Sequence, residues 1–141
     1  AGYSNSYITR KQPLVHLSNA AEQNGTLVTQ SLQALFRNCI IWGESGGLVK
    51  DEIVLQQQRG APFQTTFQGI LWNNTVAGAT VLGNALIENP QFRSTADKNY
   101  DFRLGETSPA LNKGVPTVVT LDRDGKSRSA AAPDLGAYEQ D

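Results

Sequence analysis

The sequence predicts an all-β chain built as a solenoid of stacked coils and closed by a distinct C-terminal segment. Short apolar runs rich in strand-forming residues are separated by Gly and Asn turns along most of the 141 residues. Ile40-Ile41-Trp42-Gly43 is echoed thirty residues later by Ile70-Leu71-Trp72-Asn73, and each copy follows a phenylalanine, Phe36 or Phe67. A fixed-period echo of apolar strands suits a solenoid, because each coil covers the apolar face of its neighbour. The last third, Tyr100 to Glu139, breaks this rhythm with an alternating strand, a capped turn, an apolar run and a polar turn.

Residues 1–13 are polar, with Tyr3, Tyr7 and Ile8 as their large apolar side chains, and a start at Ala1 in a chain without Met suggests a piece of something longer. Leu14 to Leu17 is a short strand ended by Ser18-Asn19, and Ala20 to Gly25 reads as a polar loop. Leu27, Val28, Leu32, Leu35, Phe36, Ile40 and Ile41 favour extended structure over a helix at Ser31 to Arg37. Gly46-Gly47 marks a turn and Ile53-Val54-Leu55 a further strand. Val76 to Leu82 and Ala85 to Ile87 follow, punctuated by Gly78 and Gly83. A solenoid end exposes unpaired backbone and apolar surface. The segment after Pro90 is therefore expected to cover that end.

Within that segment Tyr100, Phe102 and Leu104 alternate with Asp101 and Arg103, the period of a half-buried strand. Ser108 to Gly114 predicts one short helical turn: Ser108 caps it, Pro109 fits the first helical position, and Gly114 supplies the left-handed stop. Val118, Val119 and Leu121 predict a second strand, and Asp122-Arg123-Asp124-Gly125 a tight turn. Pro133 to Glu139 closes the chain.

The run DFRL…SPALNKG…LDRDGKSR…PDLGAYE resembles the C-terminal end of bacterial surface proteins built as right-handed parallel β-helices, which close with segments of the type DYxL…SPAIDAG…DLDGxxR…DIGAYE. The positions that match include Asp101, Leu104, Ser108, Pro109, Ala110, Gly114, Asp122, Asp124, Gly125, Arg128, Asp134, Gly136, Ala137, Tyr138 and Glu139. Asn38 to Gly43 is similar to the NSIIWGN strand of those proteins, and Asn89-Pro90-Gln91-Phe92 to their DPLF link. Asn112 and Asn89 depart from the acids usual there. The resemblance spans roughly residues 36–139 and implies a pectate-lyase-like solenoid: residues 1–89 as the last coils of a right-handed parallel β-helix, and residues 90–141 as a C-terminal capping segment with one short helical turn. Ser108, Pro109, Gly114, Asp122, Asp124, Gly125, Arg128, Asp134, Tyr138 and Glu139 are then structural cap residues.

Composition narrows the function. A net charge of −1 gives no electrostatic case for nucleic acid or an anionic membrane, and no apolar run is long enough to span a bilayer. One cysteine, Cys39, excludes an internal disulfide and a cysteine-based metal cluster, and its apolar strand makes it a buried thiol. His16 stands alone, too little for a zinc site, and no G-x-S-x-G elbow is present. Asp122 and Asp124 are spaced as in calcium loops, but Lys126, Ser127 and Arg128 follow where further oxygen ligands belong, so a hairpin turn is favoured. Asp134 and Glu139 read as half-buried acceptors for backbone N–H groups or for Arg128 or Arg103.

No catalytic residue, metal or cofactor is assigned. Asp51 and Glu52, with Lys50 and Arg59 nearby, read as a solvated charged loop. Trp42 and Trp72 either stack on adjacent coils as an exposed platform for sugar rings or belong to the core, and the core is favoured. Asn24-Gly25-Thr26 and Asn73-Asn74-Thr75 match the glycosylation sequon. The leading expectation is a non-catalytic β-helix module of an extracellular or surface bacterial protein, contacting polysaccharide and upstream coils and self-associating through its first coil. One alternative is part of a polysaccharide lyase or glycoside hydrolase with its catalytic residues upstream. Another is a structural or adhesive protein-contact module.

Overall fold

The computed structural model describes residues 10–44, 48–73 and 76–140, together with the backbone of Gly2–Tyr3. Tyr7, Ile8, the Gly46-Gly47 turn, and Asn74 and Thr75 of the second sequon lie outside the described residues. The chain is all-β. Its strands are β1 (Gly2–Tyr3), β2 (Val15–Ser18), β3 (Ala20–Gln23), β4 (Thr26–Thr29), β5 (Leu32–Ile41), β6 (Gly43–Glu44), β7 (Ile53–Gln56), β8 (Phe63–Trp72), β9 (Thr80–Leu86), β10 (Phe92–Ala96) and β11 (Asn99–Leu104). Among the described residues no helix is long and apolar enough to cross a membrane.

Three sheets are parallel: β1 with β6, β2 with β7, and β5-β8-β9 in that order. Two hairpins, β3-β4 and β10-β11, are antiparallel. The first replaces the loop expected at Ala20 to Gly25. Its turn is Asn24-Gly25, with φ of 51° and 76°, the left-handed pair that a two-residue hairpin requires.

The β5-β8 register sets Phe36 opposite Phe67 and Ile41 opposite Trp72. The phenylalanine rings stack at 4.9 Å and 11°. The tryptophans do not stack, because the register runs one residue beyond their sequence spacing and Trp42 falls past the end of β5. A one-residue offset also reverses the face a side chain occupies.

Each strand of this sheet bends at a left-handed residue: Asn38 (φ 52°), Gly69 (φ 62°) and Gly83 (φ 71°). The β5-β8 register puts Asn38 level with Gly69, and Gly83 falls where the β8-β9 register shifts. This bend lets Phe67 and Ile70, three residues apart, enter one core, whereas strict alternation would place them on opposite faces. Gly69 has no room for a side chain, since a Cβ there would lie 2.8 Å from Asn38 Oδ1.

Two cores result. Ile41, Ile53, Phe67, Ile70 and Trp72 form the inner one, with Phe36 and Cys39 of β5, Val15 of β2, Leu55 of β7 and Leu14 packed against it. The opposite face of the β5-β8-β9 sheet carries Ile40, Leu71 and Leu86, which share a register row and meet Leu104, Ala110 and Leu135 of the tail. The tail thus lies along the flank of the sheet and leaves its terminal strand uncovered. Six of the seven β9 residues are exposed, including Val81 and Leu82. The segment after Pro90 meets the stack along this flank, touching β9 at Asn84 and Leu86.

Two further tail elements differ from expectation. Ser108 to Gly114 is a series of turns with no helix, because its backbone groups bond elsewhere. The Ala110 carbonyl accepts from Leu135 N, Asn112 N donates to Asp134, and Gly114 N donates to Pro133 O. Val118 to Leu121 forms no strand beyond a single Leu121–Ser127 bridge, and Val118 is 96% exposed. Among the described residues no neighbouring strand lies there to pair with it, and Val119 N instead bonds Thr117 Oγ1. The turn at Asp122 to Gly125 forms, closed by Gly125 N to Asp122 O and by Asp122 N to Lys126 O.

Candidate functional site

The densest set of functional side chains is the seam between the tail and the bent sheet. Asn38 sits at its centre. Its left-handed backbone aims the side-chain amide outward, where Nδ2 donates to Val115 O at 2.7 Å and Oδ1 accepts from Val115 N at 2.8 Å. Its own carbonyl accepts from Gly136 N at 2.8 Å. One amide thereby pairs with the tail as a strand would. Two strands along the sheet, on β9, Asn84 Nδ2 donates to Lys113 O at 3.1 Å. Gly114 must stay small, since a Cβ would meet Pro133 O at 2.6 Å.

Three carboxylates hold the tail together by accepting backbone N–H bonds. Asp134, buried, takes Asn112 N at 2.7 Å and Gln140 N at 2.8 Å. Glu139 takes Ser129 N and Asp134 N. Asp122 takes the N–H groups of Asp124, Lys126 and Glu139 at 2.8–2.9 Å. Burial works against the Asp122 charge, yet these bonds and the Arg128 charge together hold its carboxyl below the usual carboxylate range. Arg128 completes the lattice, donating to the Asp134 and Gly136 carbonyls and to Glu139. Ser108 donates through Oγ to Pro90 O at 2.6 Å and accepts from Ala110 N, so it ties the tail to the link before β10. Pro109, next to it, is half-buried.

Arg103 on β11 crosses to the tight turn. Its guanidinium bonds Asp124 and Asp101 and lies 4.7 Å from the Tyr138 ring centre. Bonding to Asp124 and then to Asp101 raises the Arg103 pKa further. The Arg103 backbone N–H is the main cause holding Asp101 low. Asp122, Asp124, Arg128, Asp134, Tyr138 and Glu139 are thus brought together as one polar network, with the carboxylate oxygens of Asp122, Asp134 and Glu139 turned inward to backbone donors.

The other sequence-selected residues lie apart. Trp72 is 1% exposed and packs edge-on to Phe67 at 5.2 Å, so its faces are closed to a sugar ring. Trp42 is half-buried against the flank core. The two indoles therefore form no shared platform. His16, exposed, lies 3.2 Å from Gln56 Oε1 across β2-β7. Cys39 is half-buried, and burial pushes its thiol pKa up, away from the nucleophilic thiolate.

Glu52 corrects the expectation of a solvated loop. It is 1% exposed and makes a two-point ion pair with Arg10, against Gly43. That pairing was invisible in the sequence because forty-two residues separate the partners. Asn19, buried, was missed for the same reason: its amide bridges the Gln58 backbone and the Ala61 carbonyl.

Comparison with protein-family models, with curated proteins and with solved structures finds no match.

Proposed function

We propose that this chain is a non-catalytic C-terminal module of a right-handed parallel β-helix protein, extracellular or at a bacterial surface, whose tail locks the last coils together from the flank. The single observation that carries this is the order of its parallel pairings. β1, β2 and β5 are each overlaid, in the same order, by β6, β7 and β8, as two successive turns of a three-sided coil would be. Right-handedness follows the rule for parallel crossovers. Further coils of a longer protein would pair onto the outer edges of β1, β2 and β5, which are edge strands of their sheets.

The non-catalytic part rests on where the acids go. Asp122, Asp134 and Glu139 spend their oxygens on backbone N–H groups, and Glu52 is paired with Arg10 inside the fold. A general acid or nucleophile must reach a substrate. The test is a panel of neutral and uronate-rich polysaccharides, with and without calcium, followed for reducing ends and unsaturated products. No turnover is expected. Sustained product formation by pure protein would overturn the non-catalytic assignment and favour the lyase or hydrolase alternative.

A further inference from the structure

A cleft of about 300 Å³ lies between the outer face of β5 and the segment 117–119. Arg37, Asn38, Thr117, Val118, Val119 and Arg128 line it, and among the described residues no carboxylate does. Its two arginines differ. Arg128 is mostly buried, and its guanidinium is committed to Glu139 and two carbonyls. Arg37 is exposed, and its Nε donates to Gln68 Oε1 at 2.9 Å, a neutral partner that fixes the guanidinium without cancelling its charge. Among the described residues its terminal nitrogens have no partner. Arg10, Arg103 and Arg128, by contrast, each face a carboxylate.

The opposite wall is apolar and unusually open. Val118 is 96% and Val119 59% exposed. Val118 covers almost nothing within the fold, and Val119 is more than half open. The loop is nevertheless held in shape, by Val119 N on Thr117 Oγ1 and by the Asn38–Val115 pair just before it. A pre-positioned, uncancelled guanidinium facing an aliphatic wall suits an organic anion. The fork binds two carboxylate oxygens while valines take the hydrocarbon.

We infer that this cleft is a binding site for a small aliphatic carboxylate, with Arg37 holding the acid group and Val118 and Val119 its apolar body. The assignment is independent of the proposed architectural role. The experiment is an amide NMR titration of the full chain with hexanoate, beside acetate, hexanol and glucuronate. Hexanoate is expected to shift the amide signals of Arg37, Val118 and Val119. Acetate, lacking the hydrocarbon, should bind about tenfold or more weakly. Hexanol, lacking the charge, should also bind about tenfold or more weakly.

Arg37→Met keeps the apolar stem and should weaken hexanoate by about tenfold. Arg37→Lys, a charge without a fork, should fall between wild type and the Met variant. Val118→Ser with Val119→Ser should weaken hexanoate but leave acetate unchanged. Arg37, Val118 and Val119 are all exposed, so these variants remain folded. No response to hexanoate, or an unchanged affinity in Arg37→Met, would overturn the site. Glucuronate binding more tightly than hexanoate would overturn the apolar half of the assignment.

Discussion

Residues 10–86 and residues 90–140 satisfy buried backbone groups in opposite ways. The stack uses ladders: β5, β8 and β9 lie parallel, and their amides and carbonyls pair strand to strand. Beyond Leu104 the tail contains no strand, so each N–H must find its own acceptor. The side chains of Asp122, Asp134, Glu139 and Asn38 supply many of them, and scattered backbone carbonyls such as those of Ala110, Pro133 and Ala137 supply others. A ladder depends on apolar side chains that fit and tolerates polar replacements on its outer face. A tail held by side-chain acceptors depends on single charged or amide groups, each with no substitute.

The largest expected effect comes from breaking the stack. Phe67 is fully buried between Phe36 and Trp72, so Phe67→Ala should cost about 4 kcal/mol. Urea unfolding read by tryptophan fluorescence checks this. The loss should reach the tail too, because Leu71, four residues on, anchors the flank core. A tail that keeps its hydrogen-exchange protection in this variant would show that the two regions are independent.

Breaking the seam should be smaller and one-sided. Asn38→Ala removes both side-chain bonds to Val115 and should cost about 2 kcal/mol. Hydrogen exchange should rise across residues 112–136 while β5 and β8 stay protected. Uniform loss across both regions would mean that the tail is an integral part of the stack.

Acid should separate the regions most gently. The Asp122 carboxyl is held below its unfolded value, so its contribution is complete above the ordinary aspartate pKa of about 3.9. That contribution disappears as pH falls through the lower folded value. Wild type and Asp122→Asn should therefore differ in stability at pH 7 and converge in strong acid. A gap that widens on acidification would contradict the assigned direction.

Much of this organisation is legible in the sequence, and the parts that are not share a cause. The strands at Val15–Ser18, Leu32–Ile41, Ile53–Gln56 and Asn99–Leu104 announce themselves by apolar content and alternation, and the Asp122–Gly125 turn by its residue types. Those are local preferences, fixed within a few residues. The β3-β4 hairpin was also legible, since Asn24-Gly25 is a strong hairpin signal, but the surrounding polarity concealed it.

The sequence by itself determined an all-β chain with a strand-rich body and a tail of different character, because strand and turn propensities act over a few neighbouring residues. Only the tertiary structure decided the rest. It set the register that stacks Phe36 on Phe67 and parts Trp42 from Trp72. It diverted the Ser108 to Gly114 backbone from a helix to Asp134, Leu135 and Pro133. It buried Glu52 against Arg10 and laid the tail along the flank of the sheet. Each of these turns on a bond between residues distant in the chain, and no local preference encodes which distant group will arrive.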